Sequence, residues 1–250
     1  MTEFRRTIQN SLLDNGYFVF ERFADRDQVR NIRSIVVDFF ESNNALIHDY
    51  KYDPPGTQAR HDRGAHPLGL FDPRLGNLRN MVKPEILKDL LEDTFPTSQF
   101  TEAFHSDIHW NFGGTGTPLW HRDNEIRPFA TDATKDFVHN DYNVYRSALY
   151  LEDHDEKTAL QVIPGSHRNK NDPQFSDELI KTCNVEAGDL ILFHCSLYHR
   201  SQNCSVRDRI IVFFAHGEEN IYTRLHGEYV RNRIQARLGC TLEEYLAAVC

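Results

Sequence analysis

His121 and Asp123 stand two positions apart in the stretch Leu119-Trp120-His121-Arg122-Asp123. Residues i and i+2 of an extended strand point to the same face, so this imidazole and this carboxylate can reach one metal ion. Downstream, the stretch from Phe193 to Arg209 holds two candidates for a third ligand, His194 and His199. Two histidines and one carboxylate on one face of a metal leave open positions opposite, as in non-haem iron enzymes. The pattern predicts a metal site.

Short apolar segments separated by turn residues surround this stretch. They are residues 17–20, 104–112, 142–151, 159–163, 189–193, 197–199 and 209–215. Pro164-Gly165 fits the central pair of a type II turn, and Gly113-Gly114 also turns the chain. Many short strands with such turns are typical of a barrel or jelly roll. We therefore expect an all-β core with flanking helices.

Arg209 opens the apolar run Ile210-Ile211-Val212-Phe213-Phe214. A buried guanidinium is costly unless it meets an anion, and arginine binds carboxylates through two parallel hydrogen bonds. Arg207 competes for the same role, because residues 207 and 209 share a face by parity. Arg209 lies directly against the apolar run, which favours it as the residue that binds a carboxylate ligand.

Several motifs occur in a fixed order along the chain. They are Asn15 to Phe20, Leu160 to His167, Gly188 to His194, and His199 with Ser201, Asn203 and Arg209. This ordered set, which extends from about residue 10 to residue 216, resembles the phytanoyl-CoA dioxygenase family of Fe(II)/2-oxoglutarate oxygenases. His-x-Asp alone is a weak signal because such triplets arise by chance, whereas the ordered set is specific.

The resemblance implies a double-stranded β-helix, which is a jelly roll of the cupin type. It implies His121, Asp123 and His199 as ligands of Fe(II), with Asp123 bound through one oxygen, and it leaves His194 as a structural residue. It also implies Arg209 and Ser201 as binding residues for 2-oxoglutarate, the cosubstrate consumed with O2. In related halogenases a small residue replaces the carboxylate, so Asp123 favours hydroxylation, with release of succinate and CO2.

Composition and charge restrict the function classes. The 250 residues are 40% hydrophobic and fit one oxygenase domain over 1–250. A net charge of −9 argues against nucleic-acid binding, which requires a basic face. Five scattered cysteines indicate reduced thiols, and neither a signal peptide nor a membrane-length apolar run is evident. We expect a cytoplasmic enzyme, monomer or homodimer, that acts on a small molecule away from membranes.

Three segments outside the strands differ from one another in composition. Residues 43–80 are rich in turn formers and locally basic, and residues 124–141 are a polar insertion, so both are predicted as lids over a small polar substrate. The segment 218–250 is predicted as a helical tail that covers the barrel or contributes to a dimer. The sequence does not separate these two roles.

Two other functions remain open at this point. One is a metal-dependent isomerase or hydrolase on the same cupin-type barrel, which uses no oxoacid. Arg209 with Ser201 disfavours it, because such an enzyme needs no buried carboxylate-binding residue. The other is a non-catalytic ligand-binding protein, which has no need of the set His121, Asp123 and His199. The sequence does not reveal the substrate.

Overall fold

The computed structural model describes residues 2–42, 63–111, 120–124, 142–169, 176–202 and 209–249. The strands of this part are β1 (Tyr17–Phe20), β2 (Arg63–His66), β3 (Phe100–Asn111), β4 (Val144–Tyr150), β5 (Leu160–Val162), β6 (Lys181–Cys183), β7 (Leu190–His194), β8 (His199–Ser201) and β9 (Arg209–Glu218). Its helices are α1 (Glu3–Asp14), α2 (Arg26–Ser42), α3 (Gly76–Val82), α4 (Pro84–Thr94), α5 (Ile221–Leu238) and α6 (Leu242–Val249). None of these helices combines the length and apolar character that a membrane crossing needs.

Two antiparallel sheets form the core. The larger has the order β1-β7-β4-β9-β3-β2, and the smaller has the order β6-β5-β8. Along β9, Ile211 packs between the sheets with Phe193 and Val162, whereas Ile210, Val212 and Phe214 pack on the outer side with the helices. The predicted jelly roll with flanking helices is confirmed. Because side chains alternate along a strand, Arg209, two positions before Ile211, lies on the same inner side as Ile211.

Helix α2 covers the outer face of the larger sheet. The Asp25 carboxylate accepts the amide N–H of Gln28 at 2.8 Å, and the Gln28 side chain accepts the amide N–H of Asp25 at 2.9 Å. This reciprocal pair is a capping box. The apolar stripe behind it is buried at Val29, Ile32, Val36, Phe39 and Phe40.

Residues 63–80 differ from the prediction. They form β2, two short 3-10 helices and the start of α3, and they bury Leu68, Leu70, Leu75 and Leu78 in the core. A segment that pairs with β3 and contributes four buried leucines is a structural layer rather than a lid. The rest of the predicted lid, residues 43–62, and most of the second one, residues 125–141, lie outside the described residues.

The register of β3 is irregular between Ala103 and Asp107. Ser106 holds this irregularity in place, because its hydroxyl donates to the Phe213 carbonyl at 2.6 Å and accepts the Leu70 N–H at 2.9 Å. His105 lies within the irregular segment, where it contacts both the barrel interior and helix α5.

Helix α5 lies against β3 and closes one side of the barrel. Its Tyr229, Val230 and Ile234 pack into a cluster with Ala103 and Ala215. The Asn220 side chain caps its first turn, and Gly239 ends it with a φ of +70°. The helix thereby brings its own polar side chains His226 and Arg233 into contact with His105.

Candidate active site

The peptides of His121 and His199 pair directly. Each backbone N–H donates to the carbonyl of the other residue at 3.0 Å, which forms an isolated antiparallel bridge. This bridge brings the two imidazole rings to 4.3 Å between centroids. The sequence predicted a strand through Asp123, but in the described residues the pairing stops at His121 and Asp123 lies in a turn.

The turn directs the Asp123 carboxylate back towards both histidines. The Asp123 N–H donates to the Cys195 carbonyl at 2.9 Å, which fixes the turn on the segment after β7. Its Oδ1 lies 3.8 Å from Nε2 of His121 and 3.7 Å from Nε2 of His199. These separations are too long for hydrogen bonds and suit three ligands around one small cation.

A backbone carbonyl close to His199 in the chain fixes the tautomer of its ring. Its Nδ1 lies 2.9 Å from the Leu197 carbonyl, which can only accept, so the ring proton resides on Nδ1. Nε2 then carries the lone pair and faces Asp123. Proteins usually orient a metal-binding histidine through a hydrogen bond from the ring nitrogen that does not bind the metal.

His194, the other candidate ligand, points away from this group. Its Nδ1 accepts the Ser196 N–H at 3.0 Å, and its ring packs against Tyr145. Burial, followed by the influence of His167, lowers the pKa of His194 to about 3. The structure thus brings together His121, Asp123 and His199 and leaves His194 as a buried, neutral residue.

The second carboxylate oxygen of Asp123 accepts a hydrogen bond from Arg146 on β4. Nη1 of Arg146 donates to Oδ2 at 3.1 Å, and Nη2 forms a short ion pair with Asp107. Burial alone would raise the pKa of the Asp123 carboxyl, but the positive charge of Arg146 and the nearby histidines hold it well below its usual range. Asp123 is therefore an anion before any ligand arrives.

A chain of buried polar groups continues behind Arg146. The Nη1 atom of Arg146 also lies 2.7 Å from Nε2 of His105, and Nη2 of Arg233 lies 3.1 Å from the same atom. Nδ1 of His105 lies 2.8 Å from Nε2 of His226, whose Nδ1 makes a short contact with the Tyr142 hydroxyl. His105 and His226 are both fully buried.

His105, Cys195 and His226 also form a group whose potential ligand atoms lie within 4.8 Å of one another. The hydrogen bonds argue against a cation there. Two guanidinium groups donate to Nε2 of His105, which places the ring proton on Nδ1, the atom that would have to bind the metal. Burial also raises the pKa of the Cys195 thiol well above its usual value.

Strand β5 and the residues just before it contact His199, Ser201 and Arg209. Val162 of β5 pairs with His199, and Leu160 of β5 pairs with Ser201. Two residues before Leu160, the Thr158 carbonyl accepts from Nη1 of Arg209 at 3.0 Å. Ser201 therefore lies further along the same ladder than His199, on the side of the carbonyl that accepts from Arg209, a residue that is 3% exposed. Arg207, the competing residue, lies outside the described residues.

The positive charge of Arg209 affects its neighbours. Burial and then Arg209 lower the pKa of His154 to about 4. Burial raises the pKa of Glu152 to about 7, although hydrogen bonds from the Ile210 N–H and Arg33, together with Arg209, act to lower it. This end of the interior combines a fixed cation with a neutral imidazole, which favours a carboxylate ligand.

Sequence reasoning missed Arg146 and His226 as parts of this site, and it favoured a structural role in the core for His105. One signal was present for Arg146: it is the charged residue in the strand Val144–Tyr150, all of which is buried. A charge inside such a strand requires buried partners. His105 and His226 gave no comparable signal, because they lie 121 positions apart along the chain and their other partners are also distant in sequence.

The chain matches known proteins both in sequence and in fold. The Phytanoyl-CoA dioxygenase (PhyH) family model matches residues 12–211. HygX from Streptomyces hygroscopicus, solved with nickel and 2-oxoglutarate bound, is 15% identical, with a TM-score of 0.58 over 88% of this chain and 88% of its own. EctD from S. alaskensis, solved with 2-oxoglutarate and 5-hydroxyectoine, is 18% identical, with a TM-score of 0.61 over 87% of this chain and 76% of its own.

The non-heme alpha ketoglutarate dependent epimerase SnoN from nogalamycin biosynthesis is 14% identical, with a TM-score of 0.57 over 85% of this chain and 80% of its own. At these identities the structural matches establish the fold. A search of curated proteins found no match. The family match extends from α1 into β9 and includes every predicted site residue, and it shows that the chain belongs to the phytanoyl-CoA dioxygenase family, which depends on iron, 2-oxoglutarate and O2.

Proposed function

We propose that the protein is an Fe(II)- and 2-oxoglutarate-dependent hydroxylase that oxidises a C–H bond of a small polar molecule. His121, Asp123 and His199 hold the iron, and Arg209 and Ser201 bind the oxoacid. The observation that carries the proposal is the position of Asp123 Oδ1, 3.7 and 3.8 Å from the two Nε2 atoms. Two imidazoles and one carboxylate with an open side suit Fe(II).

The residues divide the work between two ends of the site. Bound iron would activate dioxygen while the oxoacid is converted to succinate and CO2. His199 and Asp123 arrive already in their binding states, one with its proton on Nδ1 and the other as an anion. Arg209 keeps its charge at any physiological pH and would hold the far carboxylate of the oxoacid, with Ser201 beside it.

Anaerobic iron titration tests the metal assignment. We expect the wild-type protein and His194→Gln to bind one iron each, because His194 lies outside the ligand group. His199→Ala should lose iron binding and 2-oxoglutarate-dependent succinate release together. His199→Ala protein that still binds one iron tightly would overturn the assignment.

A second candidate is epimerisation, which the structural likeness to SnoN brings into view. Hydroxylation transfers one oxygen atom to the product, whereas epimerisation leaves the product mass unchanged. Mass spectrometry after reaction with ¹⁸O-labelled O2 and a metabolite mixture separates them. The same experiment in bromide buffer tests the carboxylate argument, because a halogenated product would contradict the role of Asp123.

A further inference from the structure

Arg146 and the residues behind it are unused by the function proposed above. We propose that Arg146 is a positioning residue that restricts Asp123 to one metal-facing oxygen, and that helix α5 holds Arg146 in place through His226 and His105. The inference rests on the proposed function, because it takes Asp123 as an iron ligand. It also gives the helical tail a role that is distinct from a cover or a dimer contact.

The geometry at Asp123 is the first step. Oδ2 accepts from Nη1 of Arg146 at 3.1 Å, while Oδ1 faces the two imidazoles. A carboxylate that is free to rotate can bind a metal through both oxygens. Here the second oxygen receives a charge-assisted hydrogen bond from a residue with 5% exposure, so it is directed away from the metal position.

The guanidinium is itself held on several sides. Its Nη2 pairs with Asp107, its Nη1 is shared between Asp123 and His105, and its flat face lies 4.5 Å from the centre of the Phe213 ring. A guanidinium offers donors in a rigid planar fork, and lysine offers a single compact point of attachment. Lysine at this position could not reach all of these acceptors together.

The direction of the hydrogen bonds from α5 follows from arginine, which only donates. Nε2 of His105 accepts from Arg146 and Arg233, so the His105 proton resides on Nδ1 and is donated to Nε2 of His226 at 2.8 Å. The His226 proton then resides on Nδ1 and faces Tyr142. Each ring is thereby held in one tautomer, and Nε2 of His226 on α5 is the acceptor for the His105 proton.

One consequence concerns the open positions of the metal. An Asp123 that bound iron through both oxygens would occupy a position that the oxoacid or dioxygen needs. Weakening the network should therefore reduce oxoacid binding while metal binding is retained. A purely structural role for Arg146 would reduce both together, which gives the inference a signature of its own.

The experiment compares Arg146→Lys and His226→Phe with the wild-type holoenzyme. Metal affinity is measured with Mn(II), and oxoacid affinity is measured from the Fe(II)–2-oxoglutarate absorption. We expect Arg146→Lys to weaken the oxoacid by about tenfold or more, the size of one charge-assisted hydrogen bond. We expect a smaller loss in His226→Phe. Mn(II) affinity should stay within about threefold in both variants.

His216→Phe is the matched control. His216 is another buried histidine, and it packs against Phe214 on β9. Its neighbour Ala215 pairs with Arg146, so the His216 side chain lies on the opposite face of the sheet from Arg146. The same substitution there should change neither affinity. If Arg146→Lys fails to fold, as circular dichroism would reveal, His226→Phe still tests the inference. Crystal structures of the Mn(II)-loaded proteins show directly whether Asp123 binds through one oxygen or two.

The outcomes separate two failures. If the wild-type protein binds neither Mn(II) nor Fe(II), the proposed function and this inference both fall. If the wild-type protein binds metal and oxoacid, and both variants keep full oxoacid affinity or lose both affinities in parallel, only the inference falls. Nitrogen-15 spectra of the metal-free protein that place the His105 proton on Nε2 would overturn the hydrogen-bond chain whatever the metal does.

Discussion

Arg146 and Arg209 lie inside the same barrel, on the adjacent strands β4 and β9, and both are buried. Arg146 stands between two carboxylates of the protein, Asp107 and Asp123. Arg209 donates to a neutral backbone carbonyl, that of Thr158. The nearby carboxylate of Glu152 accepts hydrogen bonds from the Ile210 N–H and from Arg33.

The difference shows how one residue type serves two purposes. The charge of Arg146 is used within the protein, where it fixes carboxylates. The charge of Arg209 acts on its surroundings, because it is a cause of the lowered pKa of His154 and opposes the burial that raises the pKa of Tyr150. A positive field of this kind at a site wall suits a ligand that brings its own carboxylate.

The largest expected effect is on stability. Arg146→Met leaves Asp107 and Asp123 buried without their cation, and removing one partner of a buried ion pair costs about 3–5 kcal/mol of unfolding free energy. We expect Arg209→Met to cost less, because the described hydrogen bond of Arg209 ends on the neutral Thr158 carbonyl. Urea unfolding of the metal-free proteins measures both. Equal losses would contradict the division between the two arginines.

The next effect is on the oxoacid. Arg209→Ala removes one side of a desolvated charge pair, worth about 2–5 kcal/mol, so 2-oxoglutarate should bind about thirtyfold to a few thousandfold more weakly. Iron affinity should change little. Arg207→Ala is the control that the sequence itself suggests. A large loss in Arg207→Ala with none in Arg209→Ala would move the oxoacid-binding role by two residues.

The smallest effect is electrostatic. Because Arg209 is a cause of the lowered pKa of His154, Arg209→Ala should raise that pKa from about 4 towards its ordinary value, while Arg146→Lys should leave it unchanged. Proton NMR titration of His154 measures the shift. Burial is the larger cause, so the shift should be partial. If the pKa of His154 is unchanged in Arg209→Ala, the positive charge of Arg209 does not act on His154.

The lowered pKa of His154 also sets the sign of a stability effect. His154 in the native state takes a proton only near pH 4, whereas in the unfolded chain it takes one near pH 6.5. Its contribution to stability is therefore full above pH 6.5 and is lost as the pH falls towards about 4. Replacing it by Gln should make the urea midpoint less dependent on pH in that interval.

The parts of the fold that could be predicted are local in sequence. The Asp25 and Gln28 capping box with its apolar stripe is an example, and so is the box of Thr241 and Glu244 at α6. The short strands also follow from patterns a few residues long. Strand β2 was not predicted, because turn-forming residues surround it. The segment is regular because it pairs with β3, which is distant in sequence.

The candidate site divides in the same way. His121, Asp123, His199 and Arg209 stand in recognisable motifs, so the sequence alone makes them candidates. Arg146, His105 and His226 lie on β4, β3 and α5. They form no sequence motif, because hydrogen bonds between distant positions of the chain bring them together. The strand that carries Arg146 offered a signal, and the helix that carries His226 offered none.

Helix α5 follows β9 in the chain, and this order has a consequence for protein synthesis. Each described strand of the barrel leaves the ribosome before His226 does, so these strands can pair while His105 still lacks His226 as the acceptor of its Nδ1 proton. We expect an interval in which a newly made chain is already folded and holds Asp123 less firmly, so iron acquisition should mature only after α5 has packed on β3.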